Sequence, residues 1–461
     1  MNKKVHPSAL VEACFKALKQ TTKKPVVSAM MLTLIFMFGT SVASAAPPPK
    51  YFVDEAELPF EALDDATAYW GVHARAGYRI EVPDNWNGDL VMWAHGFRGT
   101  GLELTVDNHP LRDLLILQGY AWAASSYDRN DYDITSGVQS THALLKRFNG
   151  IVSKPNKVYM TGASMGGHIT AVAIEQYPNT FDGALPVCGA IGDYALFDYF
   201  LDFNLAAQQL GTGNSGFPVV DAEYIGVTVP AIKAGLGAAP GSWPFILNAQ
   251  GQQHKDLVEQ RSGGERPNFD EAFAFWNSIP SATGGGNFLF ELGLGDGSLP
   301  RAPGAATQNI NTIYQFDNDP SLTAAEQDLN DNIARVAAAP QTRRSNGLAQ
   351  VPRISGDINI PVLTLHNLGD LFVPVLNEVV YAENVRAKGK SNLLVQRAVR
   401  GVLHCDFTPA EFSRAFIDLV QWVELGDKPQ GDDFLDPAAV ADPEFGCAFT
   451  DGPHTLGTAC P

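Results

Sequence analysis

From Gly77 onward, short apolar runs alternate with longer stretches in which apolar residues recur at helical spacing. Residues 78–82, 90–94, 121–127, 158–161 and 184–187 read as strands. The run from Leu90 to Ala94 is apolar without a break, which suits a strand buried on both faces. Residues 110–118, 136–148 and 165–176 read as helices, and Gly119 and Gly150 end the first two. Asp84-Asn85-Trp86-Asn87-Gly88 reads as a turn. This alternation predicts an α/β fold, a mostly parallel sheet with helices on both faces.

The pattern breaks across 191–355. Polar, Gly-rich and Pro-rich stretches surround helical candidates at 196–210, 269–278 and 322–338. Residues 281–287, with Gly284-Gly285-Gly286, cannot form a regular element. A structureless loop of this length does not suit a compact domain, so the segment reads as a folded insertion. Alternation resumes at Pro361, with strands at 362–365 and 392–399 and helices at 374–388 and 409–424. The chain therefore divides into a core in two parts (46–190 and 356–425), an insertion (191–355) and a tail (426–461).

Residues 1–45 follow another logic. Six lysines precede an apolar run from Val26 to Phe38, and small residues end in Ala43-Ser44-Ala45. This is the layout of a secretory signal peptide cleaved after Ala45. The apolar run is shorter than the roughly 20 residues a membrane-spanning helix needs. Export removes Cys14 and leaves Cys188, Cys405, Cys447 and Cys460. An even number in an oxidising compartment predicts two disulfides. Of three pairings, Cys447 with Cys460 is the simplest, leaving Cys188 with Cys405. No C-x-x-C pair is present, so zinc is not expected.

Composition narrows the partners. The net charge of -18 for 461 residues becomes -23 once the six lysines and one glutamate of the leader are gone. Phosphate backbones and anionic lipid select for basic surfaces, so nucleic acid and membrane surfaces are not expected partners. A substrate without strong negative charge fits better.

Gly162-Ala163-Ser164-Met165-Gly166 is a G-x-S-x-G pattern between a predicted strand and a predicted helix. In that setting the serine sits on a sharp turn at a helix start, as a nucleophile does. A hydroxyl needs a base, and His404 follows the last predicted strand. The other histidines have structural, surface or tail positions. The base needs a carboxylate to fix its tautomer, and Asp370 follows the strand at 362–365. Asp406 is a rival, but it lies only two residues from His404. An oxyanion needs donors. The N–H of Met165 is the first, and the N–H of Phe97, in His95-Gly96-Phe97-Arg98-Gly99, is the second. Arg98 reads as a surface residue or a substrate contact.

With these residues in the order Ser, acid, His, the sequence resembles the α/β-hydrolase superfamily over roughly 77–190 and 356–425. The resemblance implies a Ser–His–Asp mechanism with an acyl-enzyme and no cofactor. It also implies that the insertion is a cap or lid. The His404-Cys405 pair is similar to that of secreted feruloyl esterases and tannases, where the cysteine is bridged to one directly before the serine. Ala163 holds that place here, and Cys188 offers a different anchor.

A secreted enzyme cleaving carboxylic esters is the first reading, with a small-molecule or polymer ester as substrate. A peptidase or amidase, or a polyester depolymerase, would use the same residues. A prolyl-oligopeptidase-like form is disfavoured, because only about 30 residues separate Ala46 from the first predicted strand, where a propeller of several hundred would stand. A non-catalytic binding protein ranks last, since no member of the constellation is missing. The aromatics of the insertion (Phe197, Tyr199, Phe200, Phe203, Trp243, Phe273, Phe275, Trp276) read mainly as its core and secondarily as a pocket lining.

Overall fold

The structure is a computed structural model that describes residues 50–280, 286–292 and 305–461. The expected leader at 1–45 and the glycines at 284 and 285 lie outside them. One eight-stranded sheet runs through the molecule in the order β1-β2-β4-β3-β5-β6-β7-β8. The strands are β1 (Ala66–His73), β2 (Ala76–Pro83), β3 (Leu90–Ala94), β4 (Ala121–Ser125), β5 (Val158–Ala163), β6 (Gly183–Val187), β7 (Val362–Asn367) and β8 (Leu394–Val399). Only β2 runs against the others. This order and direction are those of the α/β-hydrolase fold.

Strands β3, β4, β6 and β7 are buried along their whole length, which is why their sequences do not alternate. Successive side chains point to opposite faces. Leu90, Met92 and Ala94 enter one core, with the helices Ile134–Ile151 and Met165–Gln176. Val91 and Trp93 enter the other, with Arg112–Leu117 and Pro409–Leu425.

The sheet begins earlier than the sequence pattern predicts. Strand β1 sits at the edge, where its burial is partial. It joins β2 through Ala74 and Arg75, both at positive φ (50° and 71°). Such two-residue turns normally use Asn-Gly or a similar pair, so Ala-Arg hides the hairpin. The helix Ile134–Ile151 also starts ahead of the predicted 136, because the Asp133 carboxylate caps it by accepting the Ser136 N–H at 2.9 Å.

Between β6 and β7 the main helices are Ala195–Thr212, Val229–Leu236, Ala249–Ser262, Phe269–Trp276 and Ala324–Asn332. The second and third are not predicted by the pattern. Val229–Leu236 is short, and Ala249–Ser262 buries little besides His254, Leu257 and Val258 in a polar sequence. The last stops at Asn332, short of the predicted 338. Arg335 bonds the carbonyls of Asn309, Thr312 and Asn330, which draws the following chain away from the helix axis. Seven of the eight aromatics named above are buried in the core that covers one face of the sheet, together with Leu90, Met92 and Ala94, and Phe275 is half-buried.

Candidate active site

Ser164 stands between β5 and the helix Met165–Gln176 with φ 59° and ψ -122°, a region L-residues rarely occupy. The turn is held by its own backbone. The Ser164 N–H donates to Val187 O at 3.1 Å, and its carbonyl accepts from Gly167 and Ala190 at 2.9 and 3.2 Å. Two glycines make the turn feasible. A Cβ at Gly162 would strike the Gly166 carbonyl, and one at Gly166 would strike the Ala94 carbonyl. Met165 is the first residue of the helix, so its N–H has no helical acceptor.

The loop after β3 passes in front of this turn. A Cβ on Gly96 would lie 3.2 Å from Ser164 Cβ and 3.6 Å from its Oγ. Phe97, next in the chain, exposes 45% of its surface. The loop is anchored by His95, which stacks on Tyr127 with ring centroids 3.9 Å apart. Tyr127 donates its hydroxyl to the His95 carbonyl at 3.0 Å. Burial pushes the His95 pKa well below its ordinary value, so this imidazole is neutral. Arg98 is committed to Asp107 and to Thr105 Oγ1, the latter at 2.7 Å.

The turns after β7 and β8 bring Asp370 and His404 together. Nδ1 of His404 donates to Asp370 Oδ2 at 2.5 Å. Asp370 is fully buried, and its Oδ1 accepts the N–H groups of Phe372 and Val373, each at 2.9 Å. The other ring nitrogen, Nε2, is buried and has no hydrogen-bond partner. Ser164 lies at the same carboxyl-end edge of the sheet, and no hydrogen bond joins it to His404. The Asp406 carboxylate bonds to His454 Nδ1, at 3.1 Å, and not to His404.

Cys188 and Cys405 form a disulfide, as do Cys447 and Cys460. The first joins the end of β6 to the residue after His404. Cys188, His404 and Cys405 bring ligand-type atoms within 4.8 Å of one another. The sulfurs are bonded to each other, so they cannot act as thiolate ligands.

Several supports are invisible in sequence patterns. Arg266, buried in the insertion, donates Nε–H to Leu368 O at 2.8 Å. Trp276 donates its indole N–H to Gly369 O and Val402 O. Tyr199 reaches Leu371 O at 3.3 Å. From below, His366 places Nε2 2.7 Å from Val373 O and Nδ1 3.2 Å from Glu378 Oε1. Burial disfavours charge on His366, but the bond and charge of Glu378 outweigh it and raise its pKa. A second histidine is treated alike. His454 bridges Asp406 and Glu411 (the latter at 3.0 Å), and these raise its pKa to about 9 against the cost of burial. Nothing in the local sequence around Arg266, Trp276 or His454 points to these partners. Each bond joins segments far apart in the chain.

No protein-family model matches the chain. It is 22% identical over 404 residues to the o-phthalyl amidase of Xanthobacter agilis, covering 77% of this chain and 86% of that protein. Among solved structures it is similar to feruloyl esterase B from Aspergillus oryzae, with 15% identity, a TM-score of 0.42, and 80% and 82% of the two chains covered. It is also similar to an acylaminoacyl peptidase from Pyrococcus horikoshii, with 10% identity, a TM-score of 0.38, and 80% and 43% covered.

Proposed function

We propose that this α/β-hydrolase-fold protein is a serine hydrolase that cleaves carboxylic esters, with Ser164 as nucleophile, His404 as base and Asp370 as its carboxylate partner. The observation that carries the reading is the His404–Asp370 bond. It fixes the proton on Nδ1 and leaves Nε2, buried and without a partner, as the basic nitrogen. In the reaction, Ser164 Oγ bonds to the carbonyl carbon while its proton passes to His404 Nε2. The N–H groups of Met165 and Phe97 hold the oxyanion, one such donor being worth about 3–4 kcal/mol in the transition state. The C–O bond to the leaving group then breaks, and His404 gives that oxygen the proton. Water, deprotonated by His404, attacks the acyl-enzyme and releases the acid and free Ser164. No step calls for a cofactor.

An amide substrate is a second reading on the same residues, and the similarity to an amidase favours it. A p-nitrophenyl ester compared with the matching anilide separates the two. The nucleophile is tested with a fluorophosphonate probe. Wild type should label and Ser164→Ala should not, and labelling that survives the substitution ends the assignment. We place the enzyme in the periplasm or outside the cell, on the leader-like residues 1–45 and the two disulfides. Among the described residues no helix is long and apolar enough to cross a membrane. The charge of the mature chain favours substrates that are not strongly anionic.

A further inference from the structure

The structure assigns Trp276 a positioning role: its indole N–H fastens the turn that carries Asp370 to the turn that carries His404. The assignment rests on the acid and base proposed above and adds a part of the insertion to their machinery. Trp276 ends the helix Phe269–Trp276 and is 4% exposed. Its Nε1 lies 2.9 Å from Gly369 O and 2.9 Å from Val402 O. Gly369 directly precedes Asp370, and Val402 stands two residues before His404. The two carbonyls belong to different turns, one after β7 and one after β8, so one buried donor spans the seam between them.

The seam is tight at this point. The Gly369 N–H donates to Gly401 O at 2.9 Å, and a Cβ on Gly369 would come 2.7 Å from Val402 Cα. Phe372 extends the contact. Its ring lies 6.3 Å from that of Trp276 and meets the His404 imidazole edge-on at 5.1 Å. The separation of Asp370 from His404 follows from how these two turns sit against each other. A donor shared by both therefore sets the length and direction of the Nδ1–Oδ2 bond. Removing the N–H leaves two buried carbonyls short of a partner and frees the turns to part. The carboxylate then stabilises the imidazolium less.

Two replacements test this. Trp276→Phe keeps an aromatic ring without the donor. Replacement of Trp276 by 3-benzothienylalanine keeps nearly the full indole shape with sulfur in place of N–H, and serves if the Phe variant does not fold. Turnover of a p-nitrophenyl ester is measured across pH for both, beside wild type, Ser164→Ala and His404→Ala. We expect kcat to fall at least about tenfold with KM little changed, since small misplacements of catalytic groups carry losses of that order. The acid limb of the kcat/KM profile should move to lower pH in both variants. Wild-type kcat with an unmoved limb in the benzothienyl variant overturns the assignment. So does any loss of activity in which the limb stays in place, because packing alone explains that. If instead Ser164→Ala and His404→Ala retain wild-type turnover, the failure lies in the active-site reading itself.

Discussion

Two carboxylates, Asp370 and Asp406, compete as the partner of His404, and their hydrogen bonds separate them. Asp370 receives the His404 N–H and two backbone N–H groups, so it is a fixed acceptor. Asp406 is turned to His454, with its own backbone tied to the Asn367 side chain at 2.9 Å. Asp370→Asn should lower kcat by about 10⁴, because the amide favours the wrong tautomer of the base. Asp406→Asn should retain most of the turnover. Steady-state kinetics on the pair decide this, and the reverse ranking would make Asp406 the partner. At this scale the G-x-S-x-G turn is legible from sequence, because its glycines and serine are neighbours in the chain. Trp276 is not, because its role depends on two carbonyls roughly a hundred residues away.

The elements that surround the site are held by caps and clamps with a readable chemistry. The helix Pro409–Leu425 follows the His404 turn, and a Thr408/Glu411 capping box opens it. His454, from the tail, adds an imidazolium between Glu411 and Asp406. Its pKa is raised from 6.5 to about 9 in the folded chain. A raised pKa means that the clamp stabilises fully below about 6.5 and is lost as pH rises through about 9. Wild type should therefore lose more Tm than His454→Gln across that window. Equal slopes of Tm against pH in the two proteins would show that the clamp contributes nothing. The helices of the insertion show the limit of pattern reading. Ala249–Ser262 buries so narrow a strip that its sequence carries little periodic signal.

In the whole molecule, the insertion is hydrogen-bonded to the turns that carry Asp370 and His404. Arg266, Tyr199 and Trp276 reach out of the insertion to carbonyls at 368, 369, 371 and 402. The Cys188–Cys405 disulfide closes the same region across 217 residues. Chain entropy puts the stabilisation from so long a loop at about 5 kcal/mol as an upper bound. Replacing Cys188 and Cys405 together by Ser should lower the urea midpoint and also reduce kcat, since Cys405 follows His404 directly. A variant with the lower midpoint but wild-type kcat would confine the bridge to stability.

The sequence alone determined the parallel α/β core, the strand–serine–helix turn and the order of Ser164, Asp370 and His404 along the chain. These depend on burial of whole strands and on residues a few positions apart, and both leave a local record. Tertiary structure decided which carboxylate meets His404, where Arg98 is bound, and how the insertion supports the turns that carry Asp370 and His404. These depend on distances between segments that adjoin only once the chain has folded, and no local pattern encodes such distances.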